Sequence, residues 1–247
     1  MLKPFCRAFF MTELENLYGV LGGRFISPAS DIKNKLQDVK AFVFDWDGVF
    51  NNGQKTMGGG SCFSEVDSMG LNLLRFSYFL KNNTLPITGV LSGEKNDTAF
   101  YFCERECLHY SLFKIPHKLE ALKFLCEKEK LIPGQIAYFF DDVLDIPVAE
   151  VCGLRIMVNQ KANPLFINYC KKNNLVDYLT ASQGGSFAVR EATELLIGLN
   201  ENFDEVITGR KNNSEAYQNY IQSRRKVKAE FFTLVENKIE QSAFPLK

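Results

Sequence analysis

Two carboxylates two residues apart, Asp45 and Asp47, close an apolar run that begins at Ala41, just before Gly48. On extended backbone, alternate side chains point to one side, so both acids are expected to face one spot. Open α/β sheets bind ligands beyond the carboxyl ends of their strands, which is where this pair falls. One carboxylate there can attack a phosphorus or carbonyl centre while its neighbour moves protons. A strand running into an Asp-rich turn would explain Asp47-Gly48 but not Asp45, which precedes the turn.

Further segments supply the groups such chemistry needs. The run Thr88–Leu91 ends in Ser92-Gly93, which places a hydroxyl at its tip. His117-Lys118 opens a stretch whose apolar residues, Leu119, Leu122, Phe124 and Leu125, have helical spacing. Ile136–Phe140 reads as a buried strand and ends in the acidic group Asp141, Asp142 and Asp145. Each residue also has a plainer use. Ser92 would cap a helix starting near Glu94, and Asp145 one carrying Val148 and Val151. Lys118 would be an ordinary helix lysine, although a cation at a helix start opposes the dipole.

The order of carboxylate, hydroxyl, lysine and acidic cluster resembles the four motifs of the haloacid dehalogenase superfamily of phosphatases. Three features narrow the resemblance to the 3-deoxy-D-manno-octulosonate 8-phosphate phosphatase branch, whose members have a small hairpin in place of a large cap. They are Gly58-Gly59-Gly60 leading to Asp67-Ser68-Met69-Gly70-Leu71, then Ile146-Pro147-Val148 with Cys152-Gly153-Leu154, and finally Gly184-Gly185-Ser186-Phe187-Ala188-Val189-Arg190-Glu191. The similarity runs from about Lys40 to Gly198. It implies an α/β, Rossmann-like fold: a parallel sheet with helices on both faces and a small hairpin flap from about Thr56 to Val66. It also implies a Mg²⁺-dependent phosphomonoesterase acting on a small phosphorylated sugar acid.

In that reading Asp45 is the nucleophile and Asp47 the general acid and base. Lys118 and Ser92 bind the phosphoryl group, with Gly93, Asn51 and Arg190 as further substrate contacts. The metal ligands would be Asp45, the main-chain carbonyl of Asp47 and Asp141, with Asp145 acting through water or orienting a ligand. A hairpin cannot close over a substrate alone, so a homo-oligomer is expected, a tetramer by resemblance.

Departures fall around the catalytic groups. Glu94 stands where the family has Arg, and Phe140 where it has Gly before the first acid. Asn51-Asn52 stand where Thr-Asp is common, and Ser186-Phe187 replace smaller residues. Retained chemistry on an altered substrate is one outcome; a catalytically weakened assembly or regulatory module on the same fold is the alternative. A mutase fits less well, because no large cap is present to exclude water.

Apolar runs at 41–46, 87–91, 136–140 and 154–158 alternate with helical patterns at about 69–82, 94–106, 117–129, 163–174 and 185–199, which predicts a parallel sheet covered on both faces. The expected organisation is an N-terminal helical extension over 1–39, a core over 40–200 and a C-terminal helical extension over 201–247. In the N-terminal part, Ser30 or Asp31 is expected to cap the second helix. In the C-terminal part, Phe231, Phe232, Leu234 and Val235 are read as a helical tail.

The formal net charge is zero, which gives no overall field for nucleic acid or anionic membrane. Arg224-Arg225-Lys226 reads as a solvated helix face rather than a nucleic-acid patch. No signal peptide or membrane span is expected, and Met11 is a second candidate start. Seven cysteines without a C-x-x-C pair suggest reduced thiols and a cytoplasmic protein, with Cys103 and Cys107 packing rather than doing redox chemistry.

Overall fold

The structure is a computed structural model that describes residues 4–55 and 61–243, with side chains from residue 11 onward. Helix α1 (Pro4–Leu21), strand β1 (Arg24–Phe25) and helix α2 (Ala29–Asp38) precede the central strand β2 (Ala41–Asp45). Then follow α3 (Glu65–Asn82), β3 (Ile87–Leu91), α4 (Asp97–Arg105), β4 (Tyr110–Phe113), α5 (Lys118–Glu129) and β5 (Ile136–Phe140). Next come the short α6 (Ile146–Ala149), β6 (Leu154–Asn159), α7 (Pro164–Lys172), β7 (Tyr178–Gln183) and α8 (Ala188–Leu199). The chain ends with α9 (Phe203–Lys211), α10 (Glu215–Arg225), β8 (Glu230–Val235) and β9 (Lys238–Ser242).

One nine-stranded sheet has the order β1-β7-β6-β5-β2-β3-β4-β8-β9, parallel from β7 to β8 and antiparallel at both margins. Strands buried on both faces read as near-continuous apolar runs, and β2, β3 and β5 do, with Thr88 in β3 and Asp45 at the end of β2 as the polar exceptions. Alternation divides their side chains between two cores. Phe42, Phe44, Val90 and Phe139 meet α1–α4 and α8–α10, whereas Ala41, Val43, Leu91, Tyr138 and Phe140 meet α5–α7. The order changes direction around β2, so its carboxyl end opens at a topological switch point.

The extensions depart from the expectation in instructive ways. Helix α2 starts after Pro28, and neither Ser30 nor Asp31 caps it; Glu15 of α1 accepts the Ala29 N–H at 2.7 Å instead. The apolar residues 231–235 form a strand rather than a helix, because β4 offers them an open edge: Tyr110 to Phe113 pair with Glu230 to Thr233. Of the expected hairpin, residues 56–60 lie outside the described ones, and Glu65-Val66 already belong to α3, capped by Ser64. Arg224 is not a solvated cation; it donates to Glu106 at 3.1 Å and braces α10 against α4's end. On α8, Arg190 pairs with Glu194, while the Glu191 carboxylate accepts from Tyr178, Ala181 and Ser182. No helix among the described residues is long and apolar enough to cross a membrane.

Candidate active site

Register alone brings the first groups together. Asp45 lies opposite Leu91, so Ser92 stands one residue beyond it on the neighbouring strand. On the other side Phe44 lies opposite Phe139, which carries Asp141 one step past Asp45. Lys118 is the first residue of α5, which packs on the face toward which Asp45 points. Its ammonium donates to Asp45 Oδ1 and to Asp145 Oδ1, both at 2.6 Å, and all three side chains are buried. Asp145 Oδ1 also accepts the Tyr138 hydroxyl at 2.5 Å. A lysine at a helix start is thus explained by two carboxylates rather than by the helix.

Asp45, Asp141 and Asp145 each place a carboxylate oxygen within 4.8 Å of the others. Burial, then the Asp145 charge, pushes the Asp45 carboxyl up to about 7 even though Lys118 opposes this. Burial and the Asp45 charge push Asp141 up to about 8. Burial disfavours the Lys118 cation, but Asp45 and Asp145 outweigh it and hold the ammonium charged. Three buried acids facing one ammonium leave excess negative charge, which a divalent cation would offset. Asp141 Oδ1 is buried without a hydrogen-bond partner, so the donor set fits a hard, oxygen-ligated metal. Asp145, held by Lys118 and Tyr138, orients the lysine more directly than it offers a ligand.

The turn after Asp45 is tighter than the extended reading assumed. Val49 and Phe50 both donate to the Trp46 carbonyl, so the chain bends immediately after β2. Asp47 therefore leaves the acidic trio: its Oδ2 takes Lys55 Nζ at 2.5 Å and its Oδ1 takes the Ser61 hydroxyl. Gly48 has φ +86°, and a Cβ there would lie 2.0 Å from Asp141 Oδ2, so only glycine fits between the two motifs. Gln160 closes this corner, donating to the Gly48 carbonyl at 2.9 Å and to Asp141 Oδ2 at 3.2 Å.

The remaining expected residues divide. Ser92 is buried at the site, and its hydroxyl accepts from Glu94 N at 3.3 Å; α4 is capped by Asn96, not by Ser92. Gly93 borders open space. Asn51 spends its amide on the local backbone, Trp46 O and Gly53 N. Arg190 is committed to Glu194 on α8, and the structure records no contact between it and the acidic trio. Phe140 stacks on Tyr138 within the core, and Glu94 is exposed. Sequence reasoning missed Tyr138, Gln160, Lys55 and Ser61. A tyrosine within an aromatic strand looks like packing, and the other three reach the site only through loops whose closure leaves no local signature.

This fold and this site resemble those of haloacid dehalogenase-type phosphatases. No family model matches the chain. It is 28% identical over 181 residues to the 3-deoxy-D-manno-octulosonate 8-phosphate phosphatase KdsC of Escherichia coli (strain B / BL21-DE3), covering 72% of this chain and 89% of that protein. The KdsC of Salmonella typhimurium is 29% identical over 178 residues, 70% and 87% of the two chains. The 3-deoxy-D-manno-octulosonate 8-phosphate phosphatase of Moraxella catarrhalis, solved with magnesium, phosphate and KDO, superposes with TM-score 0.60 and 25% identity, over 73% of this chain and 98% of that one. A probable YrbI-family phosphatase of Pseudomonas syringae gives TM-score 0.62 and 26% identity over 74% and 98%. By sequence and by fold the chain is thus similar to phosphatases of the KdsC branch.

Proposed function

We propose that this chain hydrolyses the phosphate monoester of a small sugar acid, octulosonate 8-phosphate or a near analogue, with Mg²⁺. The observation that carries the reading is Asp45, buried against Lys118 and beside the partnerless Asp141 oxygen. The Asp45 carboxylate attacks phosphorus, and the ester oxygen leaves with a proton from Asp47. Asp47 then takes a proton from the water that cleaves the aspartyl phosphate. Lys118 and Ser92 bind the non-bridging oxygens, whose charge must be balanced because phosphoryl transfer offers little covalent help. Asp45 and Asp141, with the Asp47 carbonyl, would hold the metal, which when bound offsets charge between carboxylates and phosphoryl group.

Residues 40–200 carry this chemistry, and the described residues before and after them add helices and the edge strands β1, β8 and β9 to the same core and sheet. The protein works in the cytoplasm as a homo-oligomer whose neighbouring subunit helps cover the site. Sequence relatives named for octulosonate 8-phosphate support the substrate class, while exposed Glu94 favours a less anionic ester near the mouth. A panel of phosphorylated sugar acids assayed with and without Mg²⁺, alongside Asp45→Asn, tests both halves. Metal-dependent release of phosphate by the parent alone is the expected result. No release from any ester, with no capture of beryllium fluoride by folded protein, would overturn the catalytic reading. Light scattering of an active monomer would overturn the oligomer.

A further inference from the structure

Resting on the acid–base reading of Asp47, we infer that Ser61 and Asn96 are positioning residues that aim its carboxylate. Asp47 lies in the turn that follows β2, so nothing in β2 fixes its side chain. The Ser61 hydroxyl donates to Asp47 Oδ1, and Asn96 Nδ2 donates to the Ser61 oxygen at 2.9 Å. Both supporting side chains are buried, Ser61 with 7% and Asn96 with 1% of their surface exposed.

The polarity of this chain is determined. Asn96 Oδ1 accepts the Thr98 and Ala99 N–H groups at the start of α4, which orients its amide and leaves Nδ2 as the donor toward Ser61. With one lone pair of Ser61 occupied, its proton is directed at Asp47. Oδ1 is thereby anchored. Oδ2 is paired with the half-exposed Lys55, and it is the oxygen that carries the proton to the departing ester oxygen, and later receives one from water, once that ammonium swings out to solvent. Asn96 thus ties the acid of the strand β2 turn to the helix that follows Ser92.

The test separates aiming from folding by leaving-group demand. Phenyl phosphate needs its departing oxygen protonated far more than p-nitrophenyl phosphate does, and kcat/KM reports only the phosphorylation step. Ser61→Ala is expected to lower kcat/KM for phenyl phosphate about tenfold more than for p-nitrophenyl phosphate. Ser61→Thr, which keeps the hydroxyl, should restore the ratio. Asn96→Asp keeps the helix cap but removes the amide donor, and should reproduce the selective loss with an unchanged melting temperature. Equal losses on both esters in Ser61→Ala or Asn96→Asp would overturn the inference. Asp47→Asn serves as the reference: if it discriminates between esters and Ser61→Ala does not, only the positioning role fails. If Asp47→Asn does not discriminate, the acid–base reading itself fails.

Discussion

Two buried carboxylate sites in this molecule have opposite accounts. Asp177, at the start of β7's side of the sheet, is fully buried yet has a partner for each oxygen. Arg155 donates to Oδ2 from its backbone N–H at 2.9 Å and from Nε at 3.0 Å, while Ser27, Lys35 and Arg155 converge on Oδ1 at 2.7, 2.5 and 3.0 Å. Burial raises its proton affinity, but the bonds from Arg155, Lys35 and Ser27 overcome that and hold the carboxyl below its ordinary range. Asp45 and Asp141 are also buried, but the one ammonium nearby bonds Asp45 and Asp145 and leaves Asp141 without it, and the two carboxyls are pushed up to about 7 and 8. The first site is saturated and ties the N-terminal segment to β6 and β7. The second keeps an unmet demand for positive charge, and that deficit is what a metal and a phosphoryl group can use.

Asp45→Asn breaks the comparison most sharply. It should lower phosphatase kcat by at least roughly 10⁴-fold, since an amide is no nucleophile, while a thermal melt shows no loss of stability. Asp177→Asn should do the reverse. Activity per folded molecule stays near the parent's, and urea unfolding should show a loss of about 3 kcal/mol, because Arg155 and Lys35 lose their counter-charge.

Asp141→Asn sharpens the contrast by separating metal from fold. In chelator it should melt higher than the parent, having shed a buried charge. It should also lose the Mg²⁺-induced stabilisation, about 2.7 kcal/mol at 100 times the dissociation constant in the parent. Equal magnesium shifts in both proteins would remove Asp141 from the ligand set.

The smallest expected effect lies in pH. Asp177 is depressed when folded, so its stabilisation is present above the ordinary value of 3.8 and is lost as pH falls through the folded value. Asp45 and Asp141 are raised, so in metal-free protein their cost is absent below 3.8 and grows as pH rises toward about 7 and 8. Unfolding curves in chelator should therefore decline from pH 4 to 8 in the parent and decline less steeply in Asp141→Asn, where Asp45 alone still bears the cost. The acid limb below pH 4 should flatten in Asp177→Asn.

How much of this was legible depended on where the deciding contact lay. Strands β2, β3 and β5 announce themselves because burial on both faces leaves unbroken apolar runs, and their shared register places Asp45, Ser92 and Asp141 without further information. Lys118 was legible because its position opposes the helix dipole. Strand β4, with Ser111 in a four-residue run, and β7, with Thr180 and Ser182, carry too little apolar pattern to stand out. Residues 231–235 fit helical spacing as well as extended pairing, and only the edge of β4 decides between them. The Asp47–Ser61–Asn96 chain depends on two loops closing together, which no local pattern encodes.

That late pairing of β8 with β4 also orders events during synthesis. Tyr110 waits for Glu230, a partner the ribosome delivers 120 residues later, so the edge of β4 stands open while the rest of the parallel sheet can already assemble. A nascent chain at that stage holds Asp45, Ser92, Lys118 and Asp141 but presents a bare row of backbone donors and acceptors to any neighbour on the same message. Closure by β8 and β9, whose outer strand carries Lys238, Glu240 and Gln241, ends that exposure with a charged, short margin. The yield of soluble protein should thus be governed by how readily β8 and β9 close the β4 edge, independently of how well the catalytic groups are arranged.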